Sequence, residues 1–524
     1  MPRSSRLRSR VIRGAVPIAL VAALALSACA APATPTDPAT SEPQSGGTIT
    51  LGRVASVTSL DLNNEITANN AFAIDKIFEP LISFDSDGVL TPGLADSWEV
   101  SEDGLVYTFA LHPGVLFSDA TPLTAKDVVF SLERHIAVEG PVPLHASISS
   151  IEATDDETVT ITLAEAYTPF LSEIAQFSNG IFPADFGGKT EEEFFKNPIG
   201  TGPFVVDKWD PAGDISFVKN ENYWQEGKPY IDALVYKLIP DGTQLLQQLQ
   251  AGQINAIDEV AEANVEELSN NADVTVTKTG SWVVEQLFLN TQNEYFSDVN
   301  VRQAIAHALD REGITAATTF GTAEVANSLI PPTIQYSAND SGFALDYDLD
   351  AAKAALAKSA YPNGFSVSLM IASGNSLRAQ EAQIVQEALA EIGITVNIES
   401  IDLATFRTRF FAYDFDFMIN SGQSDSPDPN GLISFQADPE GFSQSYWTHY
   451  TNDKVTELMK QGRVTLDGPD REKIYLDIQE ILANDVPYIP IFYPSAIKAT
   501  SSKVHGLVVL PNESIRFQDA WIEQ

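Results

Sequence analysis

From Asp350 to Ile419 the chain alternates between helical and extended patterns, and this constrains the fold more than any other feature. Asp350 to Ser359 reads as a helix, Ser366 to Ile371 as a strand, Ser376 to Ile392 as a long helix and Ile394 to Glu399 as a strand. Leu403 to Phe411 is again helical, and Asp414 to Ile419 (DFDFMI) alternates as a strand does. Alternation of this kind predicts an α/β sheet, with ligand sites at the ends of its strands.

Other segments carry the same two signals. Strands are predicted at Thr48 to Leu51, Val106 to Leu111, Thr158 to Leu163, Phe204 to Lys208, Asp214 to Lys219, Leu234 to Ile239, Ser281 to Asn290 and Val486 to Tyr493. Helices are predicted at Ala68 to Phe78, Ala125 to Arg134 behind an N-cap at Thr124, Pro169 to Phe177, and Glu191 to Lys196. Four more are predicted at Thr243 to Ala251, Asp298 to Asp310, Asn452 to Gly462 and Asp470 to Asn484. With 524 residues, 44% of them hydrophobic, the chain can build a sizeable core. Its formal charge of −40 excludes a nucleic-acid partner, which needs a basic footprint. It also argues against docking of the folded surface on anionic lipid.

The N-terminus has its own logic. Arg3, Arg6, Arg8, Arg10 and Arg13 precede an apolar run from Gly14 to Ala28 that is short for a membrane span. The run ends Leu26-Ser27-Ala28-Cys29, the bacterial lipobox pattern, and Cys29 is the only cysteine. Residues 1–28 are therefore expected to be a lipoprotein signal peptide. Cys29 is the expected lipidation site, and residues 29–46, rich in Pro, Thr, Ala and Ser, a disordered tether. A lipid on Cys29 would hold the body at the outer face of the cell membrane.

The stretch GLADSWEVSEDGLVYTFALHPGVLFSDATPLTAKDVVFSLER, ending at Arg134, closely resembles the signature of the extracytoplasmic solute-binding proteins of ABC importers, in the dipeptide/oligopeptide/nickel-binding family. PIGTGPFVVDKW, NYWQEGKPYIDALVYKLIPD, VRQAIAHALDR and IYLDIQEILANDVPYIPIFY continue the resemblance in order. It implies a two-lobed, type II periplasmic-binding-protein-like α/β fold with an accessory subdomain in the first lobe. The implied first lobe is residues 47–75, 197–285 and 495–524; the accessory subdomain is 76–196 and the second lobe 286–494. Ser281 to Asn290 and Val486 to Tyr493 would join the lobes. A monomer would capture a small solute, a short peptide above all, and deliver it to an ABC permease and its ATPase subunits. An oligosaccharide or a nickel–chelator complex is the alternative ligand, and an extracytoplasmic hydrolase the remaining alternative function.

No cofactor, catalytic residue or metal site is expected. The chain has no Gly-x-Ser-x-Gly, HExxH or Walker pattern, and its six histidines are dispersed. Binding has better candidates in Ser421 to Gly431 (SGQSDSPDPNG), directly after a predicted strand. In peptide-binding family members, an Asp a few residues before an Asp-Pro accepts the ligand's α-ammonium, and the matching position is Asp425, ahead of Asp428-Pro429. The competing reading has both aspartates only building turns. Gln423 stands where peptide binders often carry Trp, which leaves room for another amine, a sugar or a metal complex; Ser424 is grouped with it as a ligand contact. Arg378, in SGNSLRAQ, loosely resembles the arginine that pairs a dipeptide's carboxylate; otherwise it is a solvated helix-face residue. Trp282 lies near the cleft on the same analogy, with core packing as the alternative. Tyr223, Trp224 and Tyr230 are expected to pack their loop onto the body rather than stack on a ligand. Val57 to Asp61 is either near the cleft or an ordinary turn.

Overall fold

Strand–helix alternation in the second half of the chain builds a parallel core. Ser366–Ala372 pairs in parallel with both Thr395–Ile401 and Phe417–Gln423. Helix Ser376–Ala390 makes the first crossover, started by Asn375, whose side chain accepts from the Arg378 N–H at 3.0 Å. Phe417–Gln423 then pairs antiparallel with Val283–Leu289, whose seven residues are all buried. The strand is covered on both faces and is apolar apart from Glu285 and Gln286 at its centre.

The computed structural model describes residues 42–64, 67–138, 146–439 and 447–524. The expected signal peptide, Cys29 and the tether up to residue 41 lie outside them. Pro43–Gln524 forms one unit. Within it the long strand Tyr488–Ser501 pairs with Val283–Leu289 through its first half and with Val274–Gly280 through its second. Beyond it, Ala256–Ile257, Thr48–Arg53 and Ala233–Leu238 follow, the last two pairs parallel; Ile215–Lys219 and Phe204–Trp209 close the edge. Among the described residues, two half-sheets therefore meet along Val274–Leu289 and Tyr488–Ser501. The segments expected to join the lobes fall here: Ser281 to Asn290 holds the strand Val283–Leu289, and Val486 to Tyr493 opens the longer strand Tyr488–Ser501. The architecture is the expected two-lobed α/β one.

A separate antiparallel sheet, in the order Ala95–Val100, Val106–Leu111, Thr158–Leu163, Ile148–Ala153, carries helix Ala125–Ala137. Asp127 accepts from the Thr124 N–H at 2.8 Å and fixes the helix start where the sequence placed it. The chain leaves this layer through Gly200 and Gly202. A Cβ on Gly200 would stand 2.0 Å from the Ile77 carbonyl oxygen, so only glycine permits the approach. The layer also reaches the second half of the chain. The Thr168 N–H donates to Arg463 O at 2.7 Å, and Asn430 Nδ2 donates to the Tyr167 hydroxyl at 3.2 Å.

Several boundaries differ from expectation. The strand expected at Asp414 to Ile419 runs from Phe417 to Gln423, because its register is set by Val283–Leu289. Helix Ala68 to Phe78 stops at Ile74. The candidate ligand segment Ser421 to Gly431 runs into a helix, Pro429–Ala437, that was not predicted; Asp428 is its N-cap and Pro429 lies in its first turn.

Candidate functional site

The carboxyl ends of the three parallel strands open on one cleft of about 820 Å³, within the range of pockets that enclose a small molecule or short peptide. After Ala372 comes Arg378; after Ile401 comes helix Leu403–Phe411, with Phe406, Phe410 and Phe411 on the wall; Gln423 leads into Ser424 and Asp425. The opposite wall comes from the Ala68–Ile74 helix and the residues after it, from Tyr223 and Trp224, and from Leu510 to Gln518.

Asp425 is half-buried and lines this cleft. Among the described residues no hydrogen bond or ion pair reaches its carboxylate. Burial alone raises its pKa above the ordinary 3.8. A ligand cation would relieve that cost. Asp428, three residues on, serves the structure instead: it caps the Pro429 helix through the Asn430 N–H at 2.8 Å and pairs with Arg471, itself fully buried. Burial pushes its pKa up, with Arg471 opposing.

Arg378 reaches the cleft but is engaged. Its Nε and Nη2 donate to the two oxygens of Glu285 at 2.6 and 2.9 Å, and Nη1 donates to Asn420 at 2.9 Å. Burial works against its charge, and Glu285 more than compensates, so its pKa is raised. Gln423 and Ser424 both line the cleft, and the Ser424 hydroxyl donates to Ser426 O at 2.8 Å, shaping the turn that presents Asp425. Trp282 does not reach the cleft wall. It is 0% exposed and packs on Phe84 with ring centroids 4.9 Å apart, so the structure places it in the core.

Of the first-half wall, the sequence raised only Tyr223 and Trp224, and expected them to pack their loop onto the body rather than meet a ligand. Tyr223 and Trp224 face the cleft and also donate, each at 3.0 Å, to the two oxygens of Glu79. Burial pushes Glu79 up to about 7, with those two donors pulling it down. Tyr230 and the Val57–Asp61 turn stay away from the wall; Asp61 pairs with Arg134 at 2.7 Å. Phe406, Phe410 and Trp447 make one side apolar, with the Phe410 and Trp447 rings 5.5 Å apart. Among the described residues no three His, Cys, Asp or Glu side chains gather as metal ligands. No helix among them is long and apolar enough to cross a membrane.

Known proteins share this construction. The profile described as bacterial extracellular solute-binding proteins, family 5 (middle) matches residues 89–444. Heme-binding protein A of Haemophilus influenzae is 30% identical over 85% of this chain and 87% of that protein. The glutathione-binding protein GsiB of Escherichia coli K12 is 25% identical over 84% of this chain and 88% of that protein. The periplasmic binding protein DppA of Helicobacter pylori, solved with the peptide STSA, superposes with a TM-score of 0.80 at 29% identity, covering 92% of this chain and 99% of that one. The chain belongs to family 5 of the bacterial extracellular solute-binding proteins, the extracytoplasmic receptors of ABC importers.

Proposed function

We propose that this receptor captures a short peptide, with Asp425 holding the peptide's ammonium group. The observation that carries the reading is an unpartnered, half-buried carboxylate at a strand end inside a small-solute cleft. The apolar wall of Phe406, Phe410 and Trp447 suits peptide side chains. The peptide-bound DppA structure and the glutathione-binding relative support the ligand class. Residues 286–494 act as the second lobe and close on the first by hinge motion at the two crossover segments. Gln423 and Ser424 shape the ammonium end, and Arg378, tied to Glu285, forms the neighbouring wall. The protein works as a monomer, anchored by a lipid on Cys29 to the outer face of the membrane.

A thermal-shift screen of the full protein tests the ligand. The panel is di- to pentapeptides, cello- and xylo-oligosaccharides, and nickel with and without histidine. A peptide at 100 times its dissociation constant should add about 2.7 kcal/mol of stability. Asp425→Ala should lose roughly 2–5 kcal/mol of peptide binding. A shift only with sugars or nickel complexes, or unchanged affinity in folded Asp425→Ala, would overturn the peptide reading. The anchor is tested separately: Cys29→Ser should move the protein from the membrane to the soluble fraction.

A further inference from the structure

We propose that Arg516 receives the anionic end of the solute, so that the cleft selects a zwitterion held between Asp425 and Arg516. This rests on the peptide-capture reading above and extends it to the ligand's other end.

The argument begins with which charges of the cleft are already spent. Arg378 is matched by Glu285 in a two-point pair. Lys76 is matched by Asp75 at 2.6 Å and donates to Ile515 O at 2.5 Å. Arg407 lines the rim but is exposed, where solvent screens it. Arg516 differs from all three. It lines the cleft, and among the described residues no carboxylate lies within ion-pairing distance of it. Its Nη2 donates to Phe84 O at 2.6 Å and to the Ser83 hydroxyl, which fixes the guanidinium plane; among the described residues the rest of the fork has no partner. An arginine stays charged in such a place and presents donors in the geometry a carboxylate accepts.

The nearby acids do not answer it. Asp75 is taken by Lys76 and by the Ser514 hydroxyl. Glu79 is held by Tyr223 and Trp224.

Arg516 sits in a two-residue pairing, Ile515–Arg516 with Val508–Val509, in a C-terminal segment whose Ile515 and Phe517 pack in one core with Ile49 and Leu51. Asp425 belongs to the other lobe. Each lobe thus contributes one unspent charge of opposite sign to the same cleft. A ligand with one charged end engages one lobe. A ligand with both ends charged engages both, and only when the lobes come together, which is the differential contact that closure requires.

The test uses the full-length protein and a mixed tripeptide library in three forms: free, C-terminally amidated and N-acetylated. Capture is read by mass spectrometry and affinities by calorimetry. The free form should bind at least roughly 30-fold more tightly than the amide, the factor expected for truncating a buried charge pair. Arg516→Gln should erase the preference for acid over amide, and Arg516→Lys should restore much of it, with thermal melts confirming that both variants fold. Equal capture of acid and amide by the wild type would overturn the Arg516 assignment while leaving peptide capture intact. So would an acid preference that survives Arg516→Gln but is lost in Arg378→Gln. Capture of no form would overturn the peptide reading and the assignment together.

Discussion

Glu381 is 2% exposed, and neither of its carboxylate oxygens has a hydrogen-bond partner among the described residues. Burial, then repulsion from Glu285, pushes its pKa well up, and Arg378 offsets only part of this. The folded protein therefore binds this proton more tightly than the unfolded chain. Stability is greatest below the usual carboxylate range and falls as pH rises through the elevated folded value. Glu381→Gln should be near neutral at pH 5 and should gain roughly 1–3 kcal/mol at pH 8. Denaturant melts at the two pH values check it; equal effects at both would contradict the assignment. None of this was visible in the sequence. Arg378 could be placed near a helix start, but Glu285 lies 93 residues away on a strand whose partners only the fold supplies. Arg516 had no local signal at all.

Among the elements, the turn from Gln423 to Asp428 shows how one short segment divides its labour. Two aspartates three residues apart have opposite roles, one facing the cleft with no partner among the described residues and one capping a helix while neutralising buried Arg471. Asp428→Ala should destabilise the fold by about 3–5 kcal/mol, because it removes the buried partner of Arg471, leaving that guanidinium only the exposed Asp467 as an ion-pair partner among the described residues, and removes a cap. Asp425→Ala should leave stability nearly unchanged. Urea titrations of the two variants check this, and equal losses would contradict it. The sequence reading found this turn because it follows an alternating strand. It did not predict the helix Pro429–Ala437, because Asp-Pro-Asn-Gly carries every local turn signal and the apolar residues that follow pack only in three dimensions. Ala95–Val100 escaped notice for the converse reason: most of its residues are exposed, so its pairing with Val106–Leu111 leaves little apolar pattern.

For the whole molecule, one geometric fact matters most: among the described residues the two half-sheets join along Val274–Leu289 and Tyr488–Ser501, and the cleft lies between what they carry. The fold class was legible because the alternation from Asp350 to Ile419 and the quoted motifs span the chain. The cleft was half legible. The second-lobe wall follows from strand ends, whereas the first-lobe wall is assembled from the Ala68–Ile74 helix, Glu79, the Tyr223–Trp224 loop and the C-terminus, which no local pattern connects. Contacts of Tyr167 and Thr168 with Asn430 and Arg463 join the accessory layer to the second lobe across this arrangement. The closure around a solute proposed above would use this arrangement, driven by contacts that need both lobes. Small-angle scattering of the full protein, with and without a saturating peptide from the screen, tests that directly. The account predicts that the radius of gyration falls on binding and that the profile converges on the one calculated for the present structure. Saturable peptide binding with an unchanged profile would contradict capture between closing lobes.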